Sequence, residues 1–269
     1  MNTPTLGLIV NTCNQPDYLG RVLAAVSGQS ERPQEVIIAD DGSTEETRRL
    51  VARWASAQPC RCEHVWQEQK GFRRARILNL AIAQTRAEYL VFLDGDTVPH
   101  PRFVADHREL AQPGQFVQGH RALVERAGAK WFGQREFVAD RRRALLRLQL
   151  RGVKHAFRWP WPQKRIRADL AGIRGCNLGI WRADLVRVNG YNEEFTGWGR
   201  EDSELVARLL NHGVRRLDVR GRACCFHLWH LPASRSGLAD NDARLAAAIA
   251  HRATRCEQGL SQHRAAAGV

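Results

Sequence analysis

Three informative patterns are missing from this chain of 269 residues. No apolar run approaches the roughly 20 residues that a membrane-spanning helix needs, which argues against an integral membrane protein. The first residues lack the basic and then apolar layout of a secretory signal peptide. The seven cysteines have no regular CxxC spacing, which argues against a disulfide scaffold and against a cysteine-based zinc site. We therefore expect a cytoplasmic protein.

Acidic residues are also scarce, because the chain has 28 of them against 41 lysines and arginines, and its formal net charge is +13. Most of the excess lies in residues 126–174, here called the basic insert, which hold 14 basic and three acidic residues. A basic segment that also contains Trp159 and Trp161 is typical of a surface for anionic lipid, a phosphorylated acceptor or nucleic acid, and equally of a solvated helix face. Because the chain has no recognised nucleic-acid-binding motif, we favour an anionic membrane over nucleic acid.

Short apolar runs alternate with helical spacing over the first hundred residues. The runs 6–10, 36–39 and 89–93 predict strands, and the apolar residues within 19–26 and 77–82 recur at helical spacing. This alternation predicts an α/β fold with a parallel sheet and helices on both faces. Such sheets bind ligands beyond the carboxyl ends of their strands, and two acidic clusters follow strands at such ends.

The pattern changes after about residue 115. Residues 141–150 predict a basic amphipathic helix, and the prolines at 160 and 162 predict irregular structure around them. The apolar spacing of residues 205–210 predicts a helix whose first turn carries Glu201 and Asp202. The chain from Ala243 onward predicts a helical tail.

The two acidic clusters admit both structural and chemical interpretations. Asp94-Gly95-Asp96 follows an apolar strand, and two carboxylates at this spacing can bind Mg²⁺ or Mn²⁺ together with a diphosphate. Asp40-Asp41-Gly42-Ser43 also follows a strand, where a carboxylate would accept a hydrogen bond from a base N–H or a ribose hydroxyl. Asp and Gly are also ordinary turn formers, so a polar turn is the alternative in both places.

The segment Gly197 to Glu204 is the most specific pattern in the chain. Two glycines flank Trp198, which allows close backbone approach and leaves a planar ring free to stack on a sugar. Asp202 could serve only as a capping charge in the first helical turn. Two acids directly after glycine, tryptophan and glycine are hard to explain by capping alone.

Two further segments carry weaker patterns. His227 and His230 are three residues apart and either could complete a metal site, although such a pair is often structural. Residues 70–76 are basic around Gly71 at a predicted helix start, which suits phosphate but also an ordinary basic helix face.

Together these segments resemble the inverting family 2 glycosyltransferases of the GT-A fold, over about residues 5–230. They are most similar to the bacterial branch with a galactosyltransferase-like C-terminal motif, many of whose members build lipopolysaccharide cores, capsules or other glycans. The resemblance implies a GT-A type α/β fold, with a mostly parallel twisted sheet, helices on both faces and a single unit for nucleotide and acceptor. In this scheme residues 1–115 form the nucleotide-sugar-binding half, residues 116–235 the acceptor-binding half with its basic insert, and residues 236–269 a helical tail.

The resemblance also implies a role for each motif. Asp202 would be the catalytic base, and the metal would be Mn²⁺ or Mg²⁺. The implied donor-binding residues are Thr12, Asn14, Asp40, Asp41, Gly71, Arg73, Asn79 and Asp94. The implied acceptor-binding residues are Asn177, Trp198 and Glu201. The implied metal ligands are Asp94, Asp96 and His230, with His227 as the alternative histidine.

The activity that follows is metal-dependent transfer of a hexose or N-acetylhexosamine from a UDP-sugar to a hydroxyl of a bacterial glycan or glycolipid, such as a lipopolysaccharide core. The basic insert would hold the enzyme at the inner face of the cytoplasmic membrane. A nucleotidyltransferase is one alternative, but it would need a glycine-rich loop near the first strand, and residues 12–16 contain no glycine. A non-enzymatic basic module that binds nucleic acid or membranes is the other, and it would have no need of Asp96 or Asp202.

Overall fold

The computed structural model describes residues 3–134 and 136–264, without the side chain of Arg264. Arg135 of the basic insert and residues 265–269 of the expected tail lie outside the described residues. The strands are β1 (Leu6–Thr12), β2 (Glu35–Asp40), β3 (Arg61–Trp66), β4 (Tyr89–Asp94), β5 (Thr97–Pro99), β6 (Gln115–Gln118), β7 (Arg121–Val124), β8 (Leu150–Arg151), β9 (Gln163–Arg167), β10 (Leu178–Trp181), β11 (Arg215–Arg220) and β12 (Cys225–Leu228). The α-helices are α1 (Pro16–Ser27), α2 (Glu45–Ser56), α3 (Arg74–Gln84), α4 (Phe103–Leu110), α5 (Arg126–Ala129), α6 (Phe137–Leu146), α7 (Arg182–Val188), α8 (Glu201–Asn211), α9 (Leu238–Ala250) and α10 (Ser261–Arg264).

The strands form two sheets within the described ranges. The larger has the order β3-β2-β1-β4-β10-β6-β11-β9, and the smaller has the order β5-β12-β7-β8. Strands β3, β2, β1 and β4 are parallel, as the alternation of strands and helices predicted. Strand β10 is antiparallel to both of its neighbours, β4 and β6, so the complete sheet is mixed. The α/β class is confirmed, whereas apolar periodicity carries no information about the direction of β10.

Helices cover both faces of the larger sheet, which confirms that prediction. On one face, Leu8 and Val10 of β1 share a buried cluster with Leu19 and Leu23 of α1. On the other face, Ile9 of β1 belongs to a cluster formed with α3, α7 and α8. Successive residues of β1 therefore point to opposite cores, as the pleat of a strand requires.

The two predicted halves of the chain share both sheets. Strand β10 pairs directly with β4, and β12 pairs antiparallel with β5. These pairings bring the residues after β12 and the start of α8 to the carboxyl end of β4, where Asp94-Gly95-Asp96 lies. None of the helices in the described part of the chain is both long and apolar enough to cross a membrane.

Helix boundaries in the second half differ from the predicted ones. Helix α6 ends at Leu146 and not at residue 150, because the chain turns at Leu148, whose φ is +52°, and continues into β8. Helix α9 begins at Leu238, between the two expected starts at residues 236 and 243, and ends at Ala250. Residues 251–260 are turns and loop, so the expected helical tail is helical only in part.

Candidate active site

A cluster of charged side chains surrounds Arg74, the first residue of α3. Its Nη1 lies 2.8 Å from Asp202 Oδ1 and 3.3 Å from Glu201 Oε1, and its Nη2 lies 3.2 Å from Asp94 Oδ1. Asp94 ends β4, whereas Glu201 and Asp202 begin α8. One buried cation thus joins carboxylates from the two halves of the chain.

Low solvent exposure strengthens the electrostatic interactions of this cluster, because the side chain of Arg74 is only 8% exposed. Burial alone would lower the pKa of the Arg74 guanidinium, but attraction to Asp202, Asp94 and Glu201 outweighs burial and raises that pKa above its ordinary value. Burial, together with repulsion from Asp202, raises the pKa of Glu201 to about 7. Burial also raises the pKa of Asp94, against the attraction of Arg74. Perturbed carboxylates in one cluster are typical of sites that exchange protons.

Gly175 holds Asp202 from a second side. The backbone N–H of Gly175 donates a hydrogen bond to Asp202 Oδ2 at 3.0 Å. A Cβ at position 175 would lie 2.4 Å from both carboxylate oxygens of Asp202 and 2.5 Å from Arg74 Nη2, so only glycine fits there. With one oxygen facing Arg74 and the other facing the backbone, the Asp202 carboxylate has a fixed orientation, which suits a general base.

Replacing Arg74 with methionine is expected to destabilise the protein by about 3 kcal/mol, because three carboxylates would lose the cation that bridges them in a largely buried cluster. Urea denaturation followed by circular dichroism would measure the change. The exposed Arg53 of α2 provides the matched control, and Arg53→Met should change stability by less than about 0.5 kcal/mol. Equal unfolding midpoints for the two variants would show that the Arg74 ion pairs contribute no net stability.

Asp96, His227 and His230 form a second cluster, two residues beyond Asp94. His230 Nε2 lies 3.0 Å from Asp96 Oδ2, and His227 Nε2 lies 3.6 Å from Asp96 Oδ1. Strand pairing explains the contact, because Leu228 N–H donates to the carbonyl of Asp96 at 2.8 Å as β12 runs beside β5. One potential ligand atom from each of the three residues lies within 4.8 Å of the others. Carboxylate oxygen and imidazole nitrogen together suit a divalent first-row metal ion.

The pKa shifts of Asp96 and His227 favour the forms that bind a metal ion, whereas the shift of His230 favours a proton that a bound metal would displace. Burial would raise the pKa of Asp96, but its hydrogen bond with His230 and the proximity of His227 lower it below its ordinary value. Burial lowers the pKa of His227 to about 4. The hydrogen bond with Asp96 raises the pKa of His230. Ionised carboxylates and neutral imidazoles are the forms that bind metals. Asp94 faces Arg74 in this arrangement, and its assignment as a metal ligand stays a prediction.

Asp40 and Asp41 are both buried at the end of β2 and organise the turn that follows. Asp40 Oδ1 accepts from Ser43 N–H at 2.8 Å, and its other oxygen lies 2.9 Å from His64 Nε2. Asp41 accepts from Gln67 Nε2 at 2.6 Å and from the backbone N–H of Arg73 at 2.9 Å. The turn interpretation is therefore supported for both residues, and any contact of theirs with a nucleotide stays a prediction.

Thr12, Asn14 and Gly71 lie near the same strand ends. Asn14 Oδ1 accepts from Thr44 N–H at 3.1 Å, and Asp41 N–H donates to the Thr12 carbonyl at 2.9 Å. The Thr12 hydroxyl is buried and has no hydrogen-bond partner among the described residues, so it is available to a ligand. Gly71 has a φ of +78° and no atom within 4 Å of where a Cβ would be, so space beside it is open.

Asn79 and Asn177 were expected to contact ligands, but the structure uses both side chains internally. Asn79 is fully buried. Its Nδ2 donates a hydrogen bond to the Tyr191 carbonyl, and its Oδ1 accepts one from the Tyr191 N–H, each at 2.8 Å. Asn177 is also fully buried, and its Nδ2 donates to the carbonyls of His120 and Ala223. Neither side chain reaches solvent, and partners within the protein satisfy its hydrogen-bonding groups.

Trp198 is 39% exposed and lies between two glycines with positive φ, +75° at Gly197 and +105° at Gly199. The guanidinium of Arg235 lies 5.1 Å from the centre of its ring. Arg200, which precedes α8, also has a positive φ of +78° although it is not a glycine. The backbone of this segment is therefore tightly turned, and it leaves the Trp198 ring partly exposed three residues before Glu201.

Arg74 and Gly175 are the two site residues to which the sequence analysis gave no role. The pattern that could have identified Arg74 is its spacing from Ile77 and Leu78, which places it on the buried face of α3. A lone arginine on an apolar face predicts buried carboxylate partners, whereas Arg73 and Arg76 are less buried. The segment Gly175-Cys176-Asn177 resembles the family's segment before the acceptor site, but the contact of Gly175 with Asp202 joins residues 27 positions apart and no local pattern predicts it.

Comparison with known proteins places the chain in a family. The family model for glycosyl transferase family 2 matches residues 8–171, and the model described as the N-terminal domain of galactosyltransferase matches residues 157–230. The chain is 30% identical over 245 residues to validoxylamine A glucosyltransferase of Streptomyces hygroscopicus subsp. limoneus. That alignment covers 79% of this chain and 49% of the relative, so the chain spans about half the length of this relative.

Solved glycosyltransferases share the fold. The mannosyltransferase PcManGT from Pyrobaculum calidifontis, in complex with GDP-Man and Mn²⁺, has a TM-score of 0.60 at 20% identity, with 99% of this chain and 74% of that chain covered. Residues 1–349 of S. aureus TarS in complex with UDP have a TM-score of 0.67 at 15% identity, and the match covers 96% of this chain and 68% of that chain. The predicted GT-A fold is thereby confirmed. Since the family 2 model covers more than half of the sequence, this chain belongs to glycosyl transferase family 2.

Proposed function

We propose that this protein is an inverting, metal-dependent glycosyltransferase that moves a hexose or N-acetylhexosamine from a UDP-sugar to a hydroxyl of a bacterial glycan or glycolipid, such as a lipopolysaccharide core. The observation that carries the proposal is the contact made by each acid of Asp94-Gly95-Asp96. Asp94 contacts the Arg74 cluster that contains Asp202, and Asp96 contacts His227 and His230. The two acids that contact the cluster of the candidate base and the candidate metal site are therefore separated only by Gly95.

Asp202 is the proposed base. Its carboxylate would take the proton of the acceptor hydroxyl as that oxygen attacks the anomeric carbon and the bond to UDP breaks. Arg74 and the Gly175 N–H hold both oxygens in place, so the carboxylate needs no reorientation during the reaction. One displacement from the face opposite UDP inverts the configuration, and no enzyme nucleophile is required.

Asp96, His227 and His230 are the residues that would hold the metal ion. A divalent cation bound there supplies positive charge that stabilises the departing diphosphate. Manganese complexes among structures that share this fold support a divalent ion, and Mn²⁺ is our choice over Mg²⁺ because two of the three ligands are imidazoles.

The acceptor is proposed to lie between Trp198 and Glu201. The exposed Trp198 ring offers an apolar face for a sugar ring. The pKa of Glu201, which burial raises to about 7, allows this side chain either to accept or to donate a hydrogen bond near neutral pH. The proposed location is the cytoplasm, at the inner face of the membrane.

Release of UDP from a panel of UDP-sugars tests the proposal. With Mn²⁺ present, we expect slow UDP release from one donor through hydrolysis and faster release once a suitable glycan acceptor is added. EDTA should abolish both rates, because the leaving diphosphate would lose its cation. Release of GDP from GDP-mannose, with no release of UDP from any UDP-sugar, would contradict the proposed donor class. Release that EDTA leaves unchanged would contradict the metal.

A further inference from the structure

Exposed apolar residues and basic residues occur together in the basic insert. Of the described residues, 11 large hydrophobic side chains are exposed, and six of these lie between residues 126 and 174. The most exposed are Leu148 at 89%, Trp161 at 86% and Leu146 at 83%. The same segment holds 14 lysines and arginines against three acids. An ordinary solvated helix face explains the charges but not the leucines, because water disfavours exposed apolar area.

The two leucines lie at the end of α6 among arginines. Ala139, Arg142, Arg143, Leu146 and Arg147 line one shallow groove on the outer side of this helix. The opposite side of α6 packs on the protein through the buried Ala144 and Asp140. Asp140 also accepts a hydrogen bond from Gly133 N–H at 2.8 Å, so this acid points away from the groove. We call Arg142, Arg143, Leu146, Arg147 and Leu148 the α6 tip.

The backbone of Leu148 gives independent evidence that this tip is specialised. Leu148 adopts the left-handed conformation, with φ of +52°, at a helix end where glycine or asparagine is usual. Leucine is disfavoured there by contact between its Cβ and the backbone. The chain thus holds a leucine in an unfavourable conformation and leaves it almost fully exposed, although a glycine would relieve both costs.

The α6 tip is linked to the candidate metal site through the smaller sheet. His227 of β12 pairs with Leu123 of β7, which pairs with Arg151 of β8. Arg151 comes three residues after Leu148, so the tip leads directly into the strand that ends this cross-strand row. Strands β12 and β8 are two strand spacings apart, a distance of about 10 Å. The three residues from Arg151 back to Leu148 span at most about 10 Å more, so a surface that the tip contacts would lie within about 20 Å of the candidate metal site.

We propose that the α6 tip docks on an anionic lipid bilayer, with Leu146 and Leu148 inserted among the acyl chains and Arg142 and Arg147 paired with lipid phosphates. The active site then faces acceptors attached to that bilayer, so the acceptor class is a lipid-linked glycan. The statement about the acceptor rests on the proposed glycosyltransferase function, whereas the docking does not.

Apolar insertion favours a membrane over a soluble acidic glycan. A polyanion would bind the arginines equally well, but it would leave Leu146 and Leu148 in water. Interfacial segments of peripheral proteins combine basic residues with inserted apolar side chains, and each inserted side chain adds its transfer free energy to the attraction of the charges. The pairing of both residue types at the α6 tip matches this requirement.

Cosedimentation with vesicles of mixed phosphatidylglycerol and phosphatidylcholine tests the docking. Leu146→Ser with Leu148→Ser should lower the partition coefficient by about 100-fold, or about tenfold for each leucine removed from the acyl region. Arg142→Glu with Arg147→Glu should lower it by at least about 25-fold. The matched controls, Arg49→Glu with Arg53→Glu on exposed positions of α2 and Ile249→Ser on α9, should stay within about threefold of the unchanged protein.

UDP release without vesicles provides the readout that separates docking from catalysis, and every variant should retain it. Equal vesicle binding by the double serine variant and the unchanged protein would overturn the proposal. Loss of vesicle binding in the arginine variant but not in the serine variant would also overturn it, and would indicate a soluble polyanion as the partner. A dimer that the serine changes convert to monomers would assign the tip to a second copy of the chain and overturn the docking. Vesicle binding without UDP release from any donor would contradict the proposed function and leave the docking supported.

Discussion

Asp202→Asn is expected to reduce glycosyl transfer by about three orders of magnitude, the range in which loss of a general base falls. Asparagine keeps the shape of the side chain and can still accept a hydrogen bond from the Gly175 N–H, but it cannot take the acceptor proton. Glu201 and Asp94 would continue to neutralise Arg74, so the fold should survive. The measurement is the rate of product formation at saturating donor and acceptor, together with calorimetric binding of UDP.

Binding of UDP should change by less than about threefold in Asp202→Asn, because the proposed donor contacts lie elsewhere. Asp17→Asn, at an exposed position in the first turn of α1, is the matched control and should retain full activity. Transfer by Asp202→Asn within about tenfold of the unchanged enzyme would exclude Asp202 as the base. A parallel loss of UDP binding would instead indicate that the change disrupts the whole Arg74 cluster.

Asp96→Asn is expected to weaken metal binding more than about 100-fold, since even the partners of metal ligands contribute factors of 10 to 100. The charge that compensates the leaving diphosphate would be lost with the metal, so transfer at limiting Mn²⁺ should fall by at least the same factor. Calorimetric titration with Mn²⁺ measures the affinity directly, independently of turnover.

Excess Mn²⁺ should partly restore transfer by Asp96→Asn, which a misfolded protein would not allow. His227→Ala and His230→Ala should each weaken Mn²⁺ binding, and the larger loss identifies the histidine that contributes more. The exposed His251 at the end of α9 supplies the control, and His251→Ala should bind Mn²⁺ normally. Unchanged Mn²⁺ affinity in all three site variants would exclude this cluster as the metal site.

Local sequence patterns predicted three strands and two helices in the first half of the fold. Continuous apolar runs predicted β1, β2 and β4, and the 3.6-residue periodicity predicted α1 and α3 between them. Each of these strands buries most of its length, so burial dominates its sequence pattern. The edge strand β3 was not predicted, because its residues are at most half-buried and its sequence has neither a continuous apolar run nor a strict alternation.

The second half depends on contacts between distant residues. The antiparallel direction of β10 follows from its pairing with β4, which no local pattern specifies. The acids of the site could be predicted because charged residues after apolar strands are conspicuous. Arg74 was missed for the opposite reason, since it lies among other arginines and only burial separates it from them. Asn79 and Asn177 were placed in binding roles because a sequence does not show which amide groups already have partners.

The Arg74 cluster has a consequence for the separability of the chain. The guanidinium and Asp94 belong to residues 1–115, whereas Glu201 and Asp202 belong to the rest, so dividing the chain near residue 115 would leave uncompensated charge in each fragment. Separation of β4 from β10, which are neighbours in the larger sheet, adds an exposed sheet edge to each fragment. Each fragment alone should be poorly soluble, and mixing them should restore sugar transfer only where the two reassociate. A split version of this enzyme would therefore report association of whatever proteins are fused to its two fragments.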